Sequence, residues 1–270
     1  MALAIVTLSC LVASTAIAQE KSALALVQQR GVLTVAVYNE FAPFSDQGKG
    51  IDVDIVEALA AKLGVKASLV WFNSGDNVDG DLRKMIWKGT PLTGTVDVMM
   101  HVPVDQQFME KVKQTRILAP YHRERFAVAR QLSVLPTLDS LEPFEKLPFG
   151  VEGESMGAMV MLSADSGRYR EKLKIFKSST DAINALKAGT VAAVLGQQGE
   201  LESGLQGDSR FAVDLPPNQL LKMQQWRIGL AVKADSLDLA KALETGMNAL
   251  LADGSVKRIM QQHGLTHREP

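Results

Sequence analysis

The chain has 270 residues, 46% of them hydrophobic and 22% charged, which suits one large or two medium packed domains and excludes a disordered chain. Its 29 basic and 30 acidic side chains leave a formal charge of -1, which removes the basic footprint of a general nucleic-acid binder. The single cysteine, Cys10, excludes an intramolecular disulfide and a thiolate metal cluster.

Met1 to Ala18 carries no charged side chain and ends in Ala16-Ile17-Ala18, the small-x-small pattern of a signal-peptidase site. This predicts a cleaved export signal over 1–18 and a mature chain that starts at Gln19 in the periplasm. No later run has the apolar length of a membrane span.

Leu33 to Val37 reads as a buried strand. Ile51 to Leu63 reads as a helix stopped by Gly64, with Asp52, Asp54 and Glu57 as its surface decoration. Strands at Ala67–Trp71 and Val96–Met100 flank a short helix at Asp81–Lys88, which completes a βαβαβ pattern and predicts a mostly parallel sheet. A strand at Arg125–Arg130 precedes a polar loop over 133–148, and the alternation then restarts. The second set has strands at Phe149–Val151 and Val191–Leu195, around a helix capped near Ser179 and ended by Gly189. Arg168, Arg170, Lys172 and Lys174 read as a solvated helix face. A strand at Trp226–Val232 and two amphipathic helices, Ser236–Asp253 and Ser255–His263, close the chain. The restart predicts two α/β lobes, one from 19–127 plus 229–270 and the other from 128–228. Two hinge strands near 124–131 and 226–233 would join them, with carboxyl strand ends facing across a cleft.

Phe41-Ala42-Pro43-Phe44-Ser45 with Gly50-Ile51-Asp52-Val53-Asp54-Ile55 resembles the opening of type II periplasmic solute-binding proteins of the amino-acid-binding cluster. Ala119-Pro120-Tyr121, Ala185-Leu186-Lys187-Ala188-Gly189 and Leu251-Ala252-Asp253-Gly254-Ser255 resemble later steps of that family in the same order. The resemblance spans about Gly31 to Gly264 and implies a two-lobed binding protein that acts by hinge closure, performs no chemistry and serves an ABC permease as a monomer. Two departures stand out. Where such binders carry Thr-Pro-Glu-Arg, with an arginine for the ligand carboxylate, this chain has Pro103-Val104-Asp105-Gln106; where they carry an aspartate for the ligand amine, it has Gln197. Both halves of the zwitterion clamp are replaced, which argues against an ordinary amino acid as ligand. Asp97 to Pro103 with Pro120-Tyr121-His122-Arg123 most resembles a subgroup associated with quinoprotein alcohol dehydrogenases, including the J-type methanol dehydrogenase accessory proteins. That subgroup implies a small anionic ligand, pyrroloquinoline quinone (PQQ), or a quinoprotein dehydrogenase as partner.

The candidate ligand contacts follow from that chemistry. Arg123 and Arg125, on one side of the first hinge strand, with Arg227 on the second hinge strand, suit the carboxylates of PQQ. Trp71, Trp87 and Trp226 suit its rings, against the alternative of core packing. Phe41 and Phe44 follow the first strand, Phe44 doubling as a possible core plug, and His101, Ser155 and Gln197 complete the set. The histidines show no metal-site spacing. Gly153-Glu154-Ser155-Met156-Gly157 also spells a nucleophile elbow, with Asp235 and His263 following in the order of an α/β-hydrolase triad. A periplasmic hydrolase or dehydratase, and an accessory protein that binds a dehydrogenase without transporting a solute, therefore stand as alternatives.

Overall fold

The computed structural model describes residues 22–217 and 225–270; the expected export signal and Cys10 lie outside them. Strand β1 (Val32–Tyr38) pairs in parallel with β2 (Lys66–Phe72) and with β3 (Val98–Pro103). Strand β4 runs unbroken from Thr115 to Gln131 and pairs through its first half with β9 (Gln225–Lys233), which also pairs antiparallel with β3. The first sheet therefore has the order β2-β1-β3-β9-β4.

The second half of β4 belongs to a second sheet. It pairs antiparallel with β7 (Ala193–Gln197) and with β8 (Phe211–Asp214). Beyond β7 lie β5 (Phe149–Glu152) and β6 (Leu173–Phe176), both parallel to β7. Two α/β lobes result, joined through the long strand they share.

Helices α1 (Ala23–Arg30), α2 (Ile51–Lys62), α8 (Leu237–Ala252) and α9 (Ser255–Gln262) bury Val27, Leu59, Met247 and Met260 against one face of the first sheet. The chain enters α2 through Gly50, at φ 135°, where a Cβ would stand 2.3 Å from the Phe44 carbonyl oxygen; only glycine fits there. The opposite face carries α3 (Val78–Leu82), a π-helical turn at Arg83–Trp87, and α4 (Gln106–Lys111). In the second lobe α5 (Met156–Ser163) covers a core of Phe144, Phe149 and Val151, while α6 (Ser179–Lys187) and α7 (Gln198–Leu205) bury Ile183, Leu186 and Leu201 on the other side. No helix among the described residues is long and apolar enough to cross a membrane.

Three expectations change. The basic cluster is not a helix face: Arg168 pairs with Glu145 and Asp165 beside a short turn, and Lys174 lies on edge strand β6, where alternate residues point outward. Asp52 is not surface decoration but 1% exposed. Ser255 does not cap the last helix through its side chain; Gly254 holds the N-cap position in a left-handed conformation.

Candidate functional site

The parallel strands of both lobes end at the junction. Strand β9 is antiparallel to β3, so its first residues lie beside the carboxyl end of β3, with Pro103 opposite Ile228. Phe126 of β4 lies opposite Gln197, which sets the carboxyl end of β7, and of its parallel neighbour β5, at the same junction. Ligands of open α/β sheets bind at such ends.

On the first lobe, β3 is irregular between Met99 and Val102, and His101 adopts a positive φ of 58°. Its Nδ1 lies 3.2 Å from Asp52 Oδ2, and the Tyr121 hydroxyl donates to Asp52 Oδ1 at 2.5 Å. Burial raises the Tyr121 phenol far above its ordinary range, with the Asp52 charge adding to it. Phe44 packs edge-on against His101 at 4.3 Å between centroids and is fully buried, whereas Phe41, stacked on Phe44 at 5.4 Å, remains half-buried. Asp52 thus gathers β3, β4 and the start of α2 into one buried polar knot.

At the junction itself, Arg123 lies opposite Arg227, Glu124 opposite Trp226, and Arg125 opposite Gln225. Alternation therefore places Arg123, Arg125 and Arg227 on one face of the ribbon and Glu124 and Trp226 on the other. Trp226 packs against Phe126, also of its own face, at 5.0 Å. Arg125 donates to the side chain of Gln198, and Arg123 donates to the Glu269 carbonyl at 3.3 Å. Glu124 is fully buried and accepts from the N–H groups of Arg125 at 2.8 Å and Gly199 at 3.3 Å. Burial pushes its carboxyl up to about 6 against those bonds.

The second lobe contributes more carboxylates. Glu152 ends β5, half-buried, and burial raises its pKa while an N–H from Ser179 opposes the shift. Ser179 donates to Glu200 at 2.8 Å in the first turn of α7. Burial, reinforced by the charge of Glu152, pushes Glu200 up to about 8. Ser155 caps α5, accepting from the Ala158 N–H at 3.1 Å and donating to the Glu152 carbonyl at 2.7 Å. Gln197 holds the N-cap position of α7 without a side-chain cap bond.

The structure brings Phe41, Phe44 and His101 together in one cluster, and Arg123, Arg125 and Arg227 onto one ribbon face. It does not gather the tryptophans: Trp71 lies on β2 against the first core, and Trp87 ends the π-helical turn beneath Arg83. Nor does it assemble a hydrolase triad, because His263 bonds Asp54 at 2.7 Å and Asp235 pairs with Lys233. Asp52, Tyr121, Glu124, Glu152 and Glu200 escaped the sequence reading as site residues; Asp52 and Glu200 stand in the first turns of α2 and α7 and Glu152 ends β5, whereas Tyr121 and Glu124 lie inside β4. Among the described residues no group of three or more His, Cys, Asp or Glu is placed to hold a metal ion.

Residues 33–266 match the family described as bacterial extracellular solute-binding proteins, family 3. No curated protein matches the chain. Among solved structures it is similar to an ancestral cationic amino acid solute-binding protein, with TM-score 0.71 and 18% identity over 90% of this chain and 100% of that one. It is also similar to an amino acid ABC transporter substrate-binding protein from Streptococcus pneumoniae bound to L-arginine, with TM-score 0.66 and 22% identity over 92% of this chain and 100% of that one. A third is an ancestral amino-acid-binding protein described as a precursor of cyclohexadienyl dehydratase, with TM-score 0.64 and 17% identity over 90% and 100% of the two chains. The family match spans nearly all of both lobes and the strands that join them, and the chain belongs to family 3 of the bacterial extracellular solute-binding proteins.

Proposed function

We propose that this protein captures a small organic cation between its lobes and delivers it to a membrane permease of the ABC type. The observation that carries the charge of the solute is the carboxylate set at the junction: Glu152 and Glu200 on the second lobe and Glu124 on the shared strand. Burial disfavours their ionised forms, and a cation entering between the lobes draws them back to it. Half-buried Phe41 and Trp226 offer ring faces of the kind that attract a desolvated cation.

Among the described residues, the segment after β3 offers no cation for an α-carboxylate. Asp105 caps α4 itself, accepting from the Phe108 N–H at 2.8 Å, and exposed Gln106 leans on Glu110. A guanidine or amine without a carboxylate fits this pattern better than a zwitterion. The relatives named for cationic amino acid and L-arginine binding share the cationic end of such a solute. The mechanism is hinge closure, in which the solute bridges the lobes and selects the closed state.

PQQ is the second reading, favoured by Arg123 and Arg125 on one face of the junction strand. Three carboxyl groups at the same junction oppose a tricarboxylate, and Trp226 lies on the other face of the ribbon. Thermal shift with agmatine, L-arginine and PQQ separates the readings, since a ligand at 100 times its Kd stabilises by about 2.7 kcal/mol. Agmatine should raise Tm and PQQ should not; a shift with PQQ alone would restore the tricarboxylate reading.

A further inference from the structure

Beyond the solute site, a cavity of about 540 Å³ opens beside the bulged part of β4, between Pro120, Arg227 of β9 and the exposed face of α8. The β4–β9 register shifts between Leu118 and His122, and Ala119 at the shift has a φ of 50°. Gly229 makes the bulge possible: a Cβ there would stand 2.5 Å from the Leu118 carbonyl oxygen, so only a glycine lets β9 lie against it. The cavity is thus a product of the backbone and not of a loosely placed side chain.

Its lining pairs charge with apolar surface. Arg116, Arg227 and Lys241 enter it from three different elements, and among the described residues none of their side chains has a hydrogen-bond or ion-pair partner. Glu244 is the one acid on its wall and makes no ion pair among the described residues. Arg116, Arg227 and Lys241 are all solvent-exposed, and on this one concave wall they leave an excess of two positive charges over Glu244. Leu237, 58% exposed at the start of α8, and Pro120 supply an apolar border. The volume lies within the range of small-molecule sites.

We infer that this cavity is a binding site for a small organic dianion with an apolar body, bordering the junction at Arg227 but distinct from the carboxylate set of the solute site. The two arginines fix carboxylate or phosphate oxygens through their planar forks, Lys241 adds a point charge, and Leu237 and Pro120 cover the carbon skeleton. Because Arg227 sits on β9, directly opposite Arg123, an occupant holds one of the strands that join the first lobe to the hinge region.

Isothermal titration calorimetry with phthalate at low salt tests the inference on the full chain. Saturable binding is expected, with Arg116→Gln, Arg227→Gln and Lys241→Gln each weakening it about tenfold, the loss expected for one charge-assisted contact. Lys257→Gln, exposed on α9 and outside the cavity, should leave it unchanged. Glu152→Gln and excess agmatine should also leave phthalate binding intact, which separates this site from the solute site. Absence of saturation, equal affinity in the three cavity variants, or displacement of phthalate by agmatine would each overturn the assignment.

Discussion

The guanidinium of Arg268 is ion-paired with Glu202 of α7, and this pair ties the segment after α9 to a helix of the other lobe. Both side chains are largely buried, at 15% and 16% exposure. The same segment bonds along β4: the Arg123 N–H donates to the Arg268 carbonyl at 3.0 Å, and His267 Nε2 meets the Tyr121 carbonyl at 2.9 Å. Thr266 N–H adds a second bond to Glu202 at 2.9 Å. A further link between the lobes therefore accompanies the shared strand.

Arg268→Ala should cost about 1.5–3 kcal/mol, the loss of a charge-assisted bond with its partner left half-desolvated. Urea unfolding gives the magnitude, and amide exchange should accelerate over 265–270 and in α7 more than in α2. Uniform acceleration throughout the chain would show that the pair does not join the lobes.

Tyr121→Phe removes the hydroxyl from buried Asp52 and leaves its carboxylate with His101 as its side-chain partner. The expected cost is about 1–3 kcal/mol for an unsatisfied buried acceptor. Asp52→Asn in the same background should recover part of the loss, because a neutral amide tolerates the missing donor; no recovery would place the cost in packing alone.

Gly199→Ala tests the closeness of the lobes. A Cβ at that position would stand 2.6 Å from Glu124 Oε2, 2.7 Å from Leu265 Cδ1 and 3.1 Å from Phe44 Cζ. Overpacking of this kind costs about 1–3 kcal/mol. Unchanged stability would mean that α7 stands further from the first lobe than this structure has it.

Stability should fall as pH rises toward 8. Folded Glu200 holds its proton to about 8, whereas an unfolded glutamate loses it near 4.5, so between these values the native state binds more protons. Its contribution is fully present below 4.5 and is lost through about 8, with a slope of up to about 1.4 kcal/mol per pH unit. Glu200→Gln should flatten this limb in Tm measurements. His122 acts in the opposite sense: burial, with His267 and Arg268 nearby, lowers it from 6.5 to about 3, so its contribution is present above 6.5 and lost on acidification. His122→Gln should reduce the acid loss; unchanged pH profiles in both variants would contradict the assignments.

The alternation of short apolar strands with amphipathic helices makes both lobes legible in the sequence, because β1, β2, β5 and α8 bury continuous or periodic apolar faces. The full length of β4 is not, since Arg116, His122, Arg123, Glu124 and Arg125 interrupt its apolar pattern where it passes between the lobes. Short α4 and α7 lack apolar stripes, and β8 pairs only at the edge of β4. Site residues were harder still. Arg123 and Arg125 were visible as a pair, but their relation to Trp226 depends on the β4–β9 register, which no local pattern encodes. Asp52 looked like a helix-surface acid because its partners His101 and Tyr121 lie 49 and 69 residues away.

The most direct test of the carboxylate-lined junction is calorimetric titration of agmatine into wild type and Glu152→Gln at pH 6 and pH 8. The account predicts saturable binding that tightens up to about fifty-fold from pH 6 to pH 8 as Glu200 ionises, and at least a tenfold loss in Glu152→Gln. Saturable binding with the same affinity in Glu152→Gln, or no binding of agmatine while PQQ saturates, would contradict it.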